Sequence, residues 1–145
     1  MELAERFKEE TDLQKYYAAA WPVIRHPHAN VFMCQFALAQ MHAACEQAPE
    51  NATYRIALGI AQYRLAKFQK ERYPEALATL SKCDQNQPAT LLFLAMNHWQ
   101  PGEKAKARQS FAKAVQLMEK GNNDDPELKL FRAEAAELLG VEKKE

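Results

Sequence analysis

Apolar residues recur along this chain at the three- and four-residue intervals of amphipathic helices. Between residues 53 and 117 the pattern occurs twice, with small residues where two helices must approach closely and large apolar residues beside them. The equivalent positions are Gly59 and Ala95, Ala76 and Ala107, Leu80 and Phe111, and Cys83 and Ala114. A unit of this length cannot bury its apolar face alone, so neighbouring units must stack. The pattern therefore predicts an all-α helical solenoid and favours a binding function.

Capping and turn residues divide the chain into about seven predicted helices. Asn30 is a predicted N-cap, Asn51 or Thr53 caps the third helix, and Pro74 and Pro88 suit the first turns of the fourth and fifth. Short turns predict that the third helix pairs antiparallel with the fourth, and the fifth with the sixth. The predicted bounds are 2–21, about 31–47, from about 53, from about 74, from about 88, about 103–120, and about 126–139 between Asp125 and the terminating Gly140.

Two stretches leave helix boundaries open. Thr11-Asp12 offers an alternative N-cap that would split the first helix, and Pro22 ends or kinks that helix before a connector at residues 23–29. The segment between Leu65 and Tyr73 is about five residues longer than its counterpart in the second copy and contains no Gly or Pro. We therefore expect the third helix to continue for one further turn or more.

Composition agrees with one soluble helical domain. The 145 residues are enough for a real core, and only four are glycines, while good helix formers are abundant. Lys+Arg and Asp+Glu both number 19, so the formal net charge is zero. A nucleic-acid-binding protein usually has a basic excess or a basic stripe. Neither is evident, so nucleic acid is not an expected partner.

The three cysteines favour a reducing compartment. Cys34, Cys45 and Cys83 are odd in number and far apart, so they predict neither a disulfide framework nor a zinc site. We interpret them as small apolar core residues. The N-terminal residues lack the apolar run of a signal peptide, and no stretch approaches the roughly 20 apolar residues of a membrane span. A cytoplasmic location without a membrane partner is expected.

The repeated unit resembles the tetratricopeptide repeat (TPR). In that family a Leu-Gly pair on the first helix meets an Ala on the second, an aromatic residue precedes that Ala by three, and a Pro closes the unit. Here Leu58-Gly59, Tyr73, Ala76 and Pro88 match in the first copy. The resemblance implies a single domain over 1–145, with an N-terminal helix and connector at 1–29, repeats at 30–140 and a frayed tail at 141–145. The expected packing positions are Leu58, Gly59, Ala76, Leu80, Leu94, Ala95, Ala107, Phe111 and Ala114.

Longer phrases are similar to TPR modules of large bacterial proteins that also contain serine/threonine kinase or WD40-repeat regions. They are Ala57-Leu58-Gly59-Ile60-Ala61-Gln62-Tyr63-Arg64, Glu75-Ala76-Leu77, Phe93-Leu94-Ala95-Met96 and Arg132-Ala133-Glu134-Ala135. Cys83 in place of Ala and the long first turn depart from the repeat pattern. This resemblance implies a bacterial protein-binding scaffold module, with any kinase region outside the present chain.

The resemblance also implies a binding wall, formed on the concave side by the first helix of each pair. Its expected positions are Thr53, Ile56, Ile60, Tyr63 and Arg64 in the first repeat, and Ala89, Leu92, Phe93, Met96 and Trp99 in the second. Tyr63 and Trp99 occupy equivalent places and are the expected anchors for a partner protein or peptide. The wall lacks the Lys, Asn and Arg that grip acidic C-terminal tails. The alternative is an architectural or self-association domain, whose wall is covered by its own neighbouring helix or by a second copy.

Candidate chemistry is sparse. His26 and His28 flank a proline without a nearby third ligand, so we interpret them as loop histidines rather than a metal site. His98 falls at a packing position, and Cys34 and Cys45 have no activating His at a diagnostic spacing. No Gly-rich phosphate loop or kinase signature is present. We therefore expect a protein that is not an enzyme and that has no cofactor and no metal.

Overall fold

The fold is a set of packed helical hairpins. The structure is a computed structural model that describes residues 3–121 and 124–142, and for residues 3–12 it describes the backbone alone. Within these residues there are seven α-helices, one short 3-10 helix and no strand, which confirms the all-α prediction. The elements are α1 Leu3–Ile24, α2 Val31–Gln47, α3 Ala52–Ala66, a 3-10 helix Lys70–Arg72, α4 Tyr73–Ser81, α5 Pro88–Trp99, α6 Lys104–Lys120 and α7 Pro126–Leu139.

Side-chain caps fix the starts of α2 and α3 where the sequence predicts them. The Oδ1 atom of Asn30 accepts a hydrogen bond from the backbone N–H of Met33 at 2.8 Å. Asn51 does the same for the backbone N–H of Tyr54 at 3.0 Å, so Asn51 rather than Thr53 caps α3. Each cap satisfies a backbone donor that the first turn of a helix leaves unpaired.

Helix α1 is longer than predicted and passes through its proline. Neither Thr11 nor Asp12 starts a new helix, and the backbone continues past Pro22 to Ile24. Pro22 lies so near the end that its missing N–H removes only one bond of the last turn. The connector to α2 is correspondingly shorter than expected. At the other terminus Gly140 ends α7 in the left-handed conformation at φ 69°, as predicted, and residues 143–145 of the tail lie outside the described residues.

The expectation that α3 continues past Leu65 is wrong. Helix α3 ends at Ala66, and the N–H groups of Phe68 and Gln69 both donate to the Leu65 carbonyl in a tight turn. The remaining extra residues form the 3-10 helix. This early reversal places the ring centroids of Tyr73 and Tyr63 5.8 Å apart. A longer α3 would separate the two rings.

Gly59 is the point of closest approach between α3 and α4. A Cβ added at Gly59 would lie 2.5 Å from Leu80 Cδ2 and 3.5 Å from Thr79 Cγ2, so only glycine fits without movement of Leu80. The predicted opposite residue was Ala76, one turn earlier on α4. The pairing is antiparallel, because Gln62 Nε2, further along α3, donates to Glu75 Oε1 near the start of α4 at 3.0 Å. Of the expected packing positions, Leu58 is half-buried and the others are buried: Gly59, Ala76, Leu80, Leu94, Ala95, Ala107, Phe111 and Ala114.

The hairpins α1–α2, α3–α4 and α5–α6 pack in sequence, and α7 packs on both α5 and α6. Helix α1 also contacts α3, and its Trp21 ring meets Phe131 of α7 edge-on at 6.1 Å. The first helices of the hairpins and α7 therefore surround one shared core. Cys34 and Cys83 are buried in the packed structure, and burial raises the pKa of both thiols, in line with their interpretation as apolar packing residues.

Candidate interaction surfaces

The expected concave wall is closed. Ile60, Leu92, Phe93 and Met96 have no exposed surface, and Tyr63 and Arg64 are buried as well. Only the edges of the wall are partly accessible, and Ile56 and Trp99 there are half-buried. A surface in this state cannot receive a partner without displacement of the helices that cover it. The assignment to an open binding wall is therefore wrong for the six buried residues, and for Ile56 and Trp99 it stays a prediction.

Aromatic packing against α7 closes the wall. The Phe93 ring lies 5.0 Å from Phe131 of α7 and 5.6 Å from Tyr63, both in edge-on geometry. Trp21 extends the cluster to α1, and its indole N–H donates to Glu127 of α7 at 2.5 Å. Such pairs add to the stability that burial alone provides. The rings that the sequence suggests for a partner are therefore contacts within the chain.

Arg64 fastens three helices together at the same place. Its buried guanidinium donates to the backbone carbonyls of Ile24 at 2.7 Å and Arg25 at 3.4 Å. Two further N–H groups bond both carboxylate oxygens of Glu134 on α7, at 2.5 and 2.8 Å. A buried charge needs such a full set of partners. Arg64 thus joins α3 to the end of α1 and to α7, which explains why the sequence places an arginine on an apolar wall.

The two expected anchors differ in their surroundings, and neither is an exposed binding ring. Tyr63 is buried, its hydroxyl accepts a hydrogen bond from Gln100 Nε2 at 3.3 Å, and burial raises its pKa above the ordinary value. Trp99 is half-buried on the side of α6, where Lys104 Nζ lies 5.1 Å and the Arg108 guanidinium 5.8 Å from its ring. The two rings are therefore not equivalent in the folded chain, and Tyr63 is not accessible to a partner.

An opening remains at one end of the wall. A cavity of about 470 Å³ lies where the first turns of α3, α5 and α7 meet α1. Thr53, Ala89 and Ile56, which were expected on the wall, line it together with Trp21. Asp84, Asp125 and Glu127 are also in its lining, so this end carries acidic groups where the wall was expected to be apolar.

The outer face of α2 is the main exposed apolar surface among the described residues. Phe32 is 77% exposed, Phe36 50% and Met33 45%, and all three lie within the first two turns of the helix. The opposite face of α2 is buried through Cys34, Ala37, Leu38, Met41 and Ala44. We call Phe32, Met33 and Phe36 the α2 outer face.

Sequence reasoning recognised these residues as apolar but did not single them out as a site. The signal was present, since α2 is apolar on two adjoining faces and its neighbours can cover only one. A second signal is charge: no Asp or Glu occurs between residues 13 and 45, so this face has no acidic residue of its own until Glu46. A helix that has no Asp, Glu, Lys or Arg before Glu46 and that exposes large rings is unusual for a surface that contacts only water.

No chemical centre is apparent in the described part of the chain. No three His, Cys, Asp or Glu side chains there lie close enough together to hold a metal ion. His26 and His28 are exposed in the connector before α2. None of the helices has both the length and the apolar character to cross a bilayer, within the residues described. No family model, curated protein or solved structure matches the chain.

Proposed function

We propose that this chain is a non-catalytic protein-interaction module of TPR-like helical hairpins, and that its partner binds the α2 outer face. The observation that carries the proposal is the exposure of Phe32, Met33 and Phe36 on an otherwise well-packed helix. Large exposed rings in one patch are common at protein interfaces, because they give much contact area at low conformational cost. The bacterial, kinase- or WD40-associated context and the cytoplasmic location are part of this proposal and rest on the sequence.

The occupant that we propose is a single amphipathic helix of a partner protein. With about 200 Å² for a whole Phe side chain, the three exposed side chains offer about 300 Å² of apolar surface. A symmetric pair of chains joined by these side chains alone would bury about 600 Å² in total, well below the roughly 1,200 Å² of a stable specific interface. A contact of this size therefore fits a weak, transient complex, such as one with a single amphipathic helix that lies across α2.

The charges near the face favour a partner helix with acidic flanks. The segment 13–45, which includes α2 and the end of α1, carries two exposed cations, Lys15 and Arg25. No acidic residue of the segment 13–45 opposes them. Complementary charge on the partner would speed association and set its orientation, with less effect on affinity.

The closed wall supports a second candidate, an architectural or self-association domain. This candidate predicts a wall that is covered by a neighbouring helix of the same chain. Phe131 and Glu134 of α7 provide such a cover. The self-association form of this candidate predicts a concentration-dependent dimer, whereas the interaction module predicts a monomer that binds a different chain. Light scattering after size exclusion separates the two.

The deciding experiment places a photo-crosslinking phenylalanine analogue at Phe36 and, as a control, at Leu130, which is 63% exposed on α7. The crosslinked segment is sequenced, synthesised as a peptide and titrated against three proteins: the unmodified chain, the double variant F32S/F36S, and the control F68S/L130S. We expect an acidic amphipathic segment that F32S/F36S weakens at least tenfold and the control leaves unchanged. Equal affinity for all three proteins would refute the proposal, and a crosslink to a second copy would establish self-association.

A further inference from the structure

Two adjoining cavities lie at the C-terminal ends of α3 and α5, and neither is lined by a residue of the α2 outer face. One has a volume of about 400 Å³ and the other about 540 Å³, and Lys70, Tyr73 and Gln100 line both. Each falls in the size range of small-molecule sites. Because they share three lining residues, the two cavities lie side by side, with Lys70 at their common edge.

The smaller cavity is rich in cations and hydrogen-bond donors. His28, Lys67 and Lys70 line it, and none of them has a carboxylate partner among the described residues. The one carboxylate in its lining belongs to Glu134, and both oxygens of that group are already bonded to Arg64. Such a lining attracts an anion and offers little to a cation.

The larger cavity combines apolar walls with one buried acceptor. Pro74, Leu77 and Pro101 give it an apolar lining, and Asn97 lies in it with only 1% of its surface exposed. Asn97 Nδ2 donates to the Phe93 carbonyl at 3.0 Å, which fixes the amide orientation and leaves Oδ1 buried without a hydrogen-bond partner. Buried acceptors are nearly always satisfied, so the unpartnered Oδ1 of this lining residue is an acceptor that a bound donor could satisfy.

Glu103 is the one acidic residue that lines the larger cavity, and its carboxylate is already paired with a cation. Its carboxylate is held by Lys106 at 2.9 Å, with His98 further off at 3.9 Å. The hydrogen bond from Lys106 lowers the pKa of Glu103 below its ordinary value. Glu103 therefore stays charged and paired outside the cationic cavity, and the two cavities keep their separate characters.

We propose that the paired cavities bind a small organic carboxylate that carries an amide N–H and an apolar body. The carboxylate lies between Lys67 and Lys70, the apolar body lies against Pro74 and Leu77, and the N–H donates to Asn97 Oδ1. An N-acyl amino acid has these three features in this order. The same chemistry occurs at the C-terminal residue of a polypeptide, which is a second source of such a group.

The test is calorimetric titration of the full chain with N-acetyl-phenylalanine, and with its carboxamide as the uncharged control. We expect saturable binding of the acid that weakens with added salt, and at least tenfold weaker binding of the carboxamide. The variant K67A/K70A should lose at least tenfold in affinity for the acid. Its matched control, K82A/K113A, removes the same charge from exposed sites elsewhere and should bind as the parent does.

Asn97→Leu tests the other half of the site. Leucine has a similar volume and removes the unpartnered oxygen, so the fold should persist while binding of the acid weakens. The proposal would be overturned if the acid showed no saturable binding up to a concentration of about 10 mM, the range of very weak ligands. Equal affinities of the acid and the carboxamide would also overturn it. So would equal affinity of K67A/K70A and its control.

A decapeptide ending in phenylalanine distinguishes the two sources. Tighter binding of the peptide than of N-acetyl-phenylalanine assigns the site to a chain end, and weaker binding assigns it to a free acid. The F32S/F36S variant should bind both probes normally, because the cavities do not include the α2 outer face. A negative result for the α2 outer face therefore does not refute the proposal for the cavities, and a negative result for the cavities does not refute the proposal for the α2 outer face.

Discussion

The inner wall of α3 and α5 and the outer face of α2 carry the same kinds of residue, but the wall is buried and the outer face is exposed to solvent. Phe93, on the wall, has no exposed surface, whereas Phe32, on α2, is 77% exposed. Both belong to amphipathic helices with regular apolar spacing. The difference comes from their neighbours, because α7 and α1 cover the wall and no described residue covers α2 in the same way.

This contrast separates apolar faces that the same chain covers from apolar faces that are left for a partner, which apolar spacing alone does not distinguish. A stripe of rings shows that a helix face avoids water, but the helix that covers it can come from the same chain or from another. On the wall the cover is internal and is fixed by Arg64, whose guanidinium bonds Glu134 and two carbonyls of the α1 end. On α2 the cover is absent among the described residues, which makes that face the better candidate for a partner.

The largest expected effect is a difference between two phenylalanines. Phe93→Ala should destabilise the fold by about 3–5 kcal/mol, because it empties a fully buried site between Tyr63 and Phe131. Phe32→Ala should change the free energy of unfolding by no more than about 0.5 kcal/mol. Urea denaturation of both variants measures the difference. Similar losses for both would mean that α2 is covered or that the wall is open.

The next effect concerns the ion pair that holds α7. Glu134→Ala should cost about 3 kcal/mol, because Arg64 would remain buried with its charge incompletely paired. The comparison is Glu142→Ala, which removes a partner of Arg132 that is more exposed than Glu134 and should cost less than about 1 kcal/mol. If the two variants melt alike, α7 is not fastened to the wall in the way described.

The smallest of these effects tests the packing of the hairpins themselves. Ala107→Leu should destabilise by about 1–3 kcal/mol through overpacking at a position with no exposed surface. Ala105→Leu, on the exposed side of α6, should stay within about 0.5 kcal/mol of the parent. An unchanged midpoint for Ala107→Leu would refute the small-residue register that the repeat pattern predicts.

Much of the fold follows from local signals in the sequence. Asn30 and Asn51 cap helices because their short side chains reach the first free backbone donors, and Gly140 ends α7 because it accepts a positive φ. The end of α3 does not follow in this way. No residue between Lys67 and Arg72 breaks a helix, and the reversal there is accompanied by the contact between the rings of Tyr63 and Tyr73, on either side of the turn.

The site was harder to predict than the fold, for the same reason. Ile60 and Phe93 are correctly placed on the inner side of their helices, but spacing within α3 and α5 says nothing about α7. The contact of Arg64 with Glu134 spans 70 positions, and neither residue alone indicates the other. The excess of apolar residues on α2 was visible, and the structure adds which of its two faces remains uncovered.

The most direct test uses the methionines that the chain already contains. Met33 lies on the α2 outer face and is 45% exposed, whereas Met96 lies on the wall with no exposed surface. Hydrogen peroxide oxidises accessible thioethers first, and peptide mass spectrometry follows each residue separately. The account predicts that in the native protein Met33 is converted to its sulfoxide while Met96, like the buried Met41, stays reduced until the fold is lost. Oxidation of Met96 as fast as Met33 in the folded chain would contradict it, because the wall would then be open to solvent.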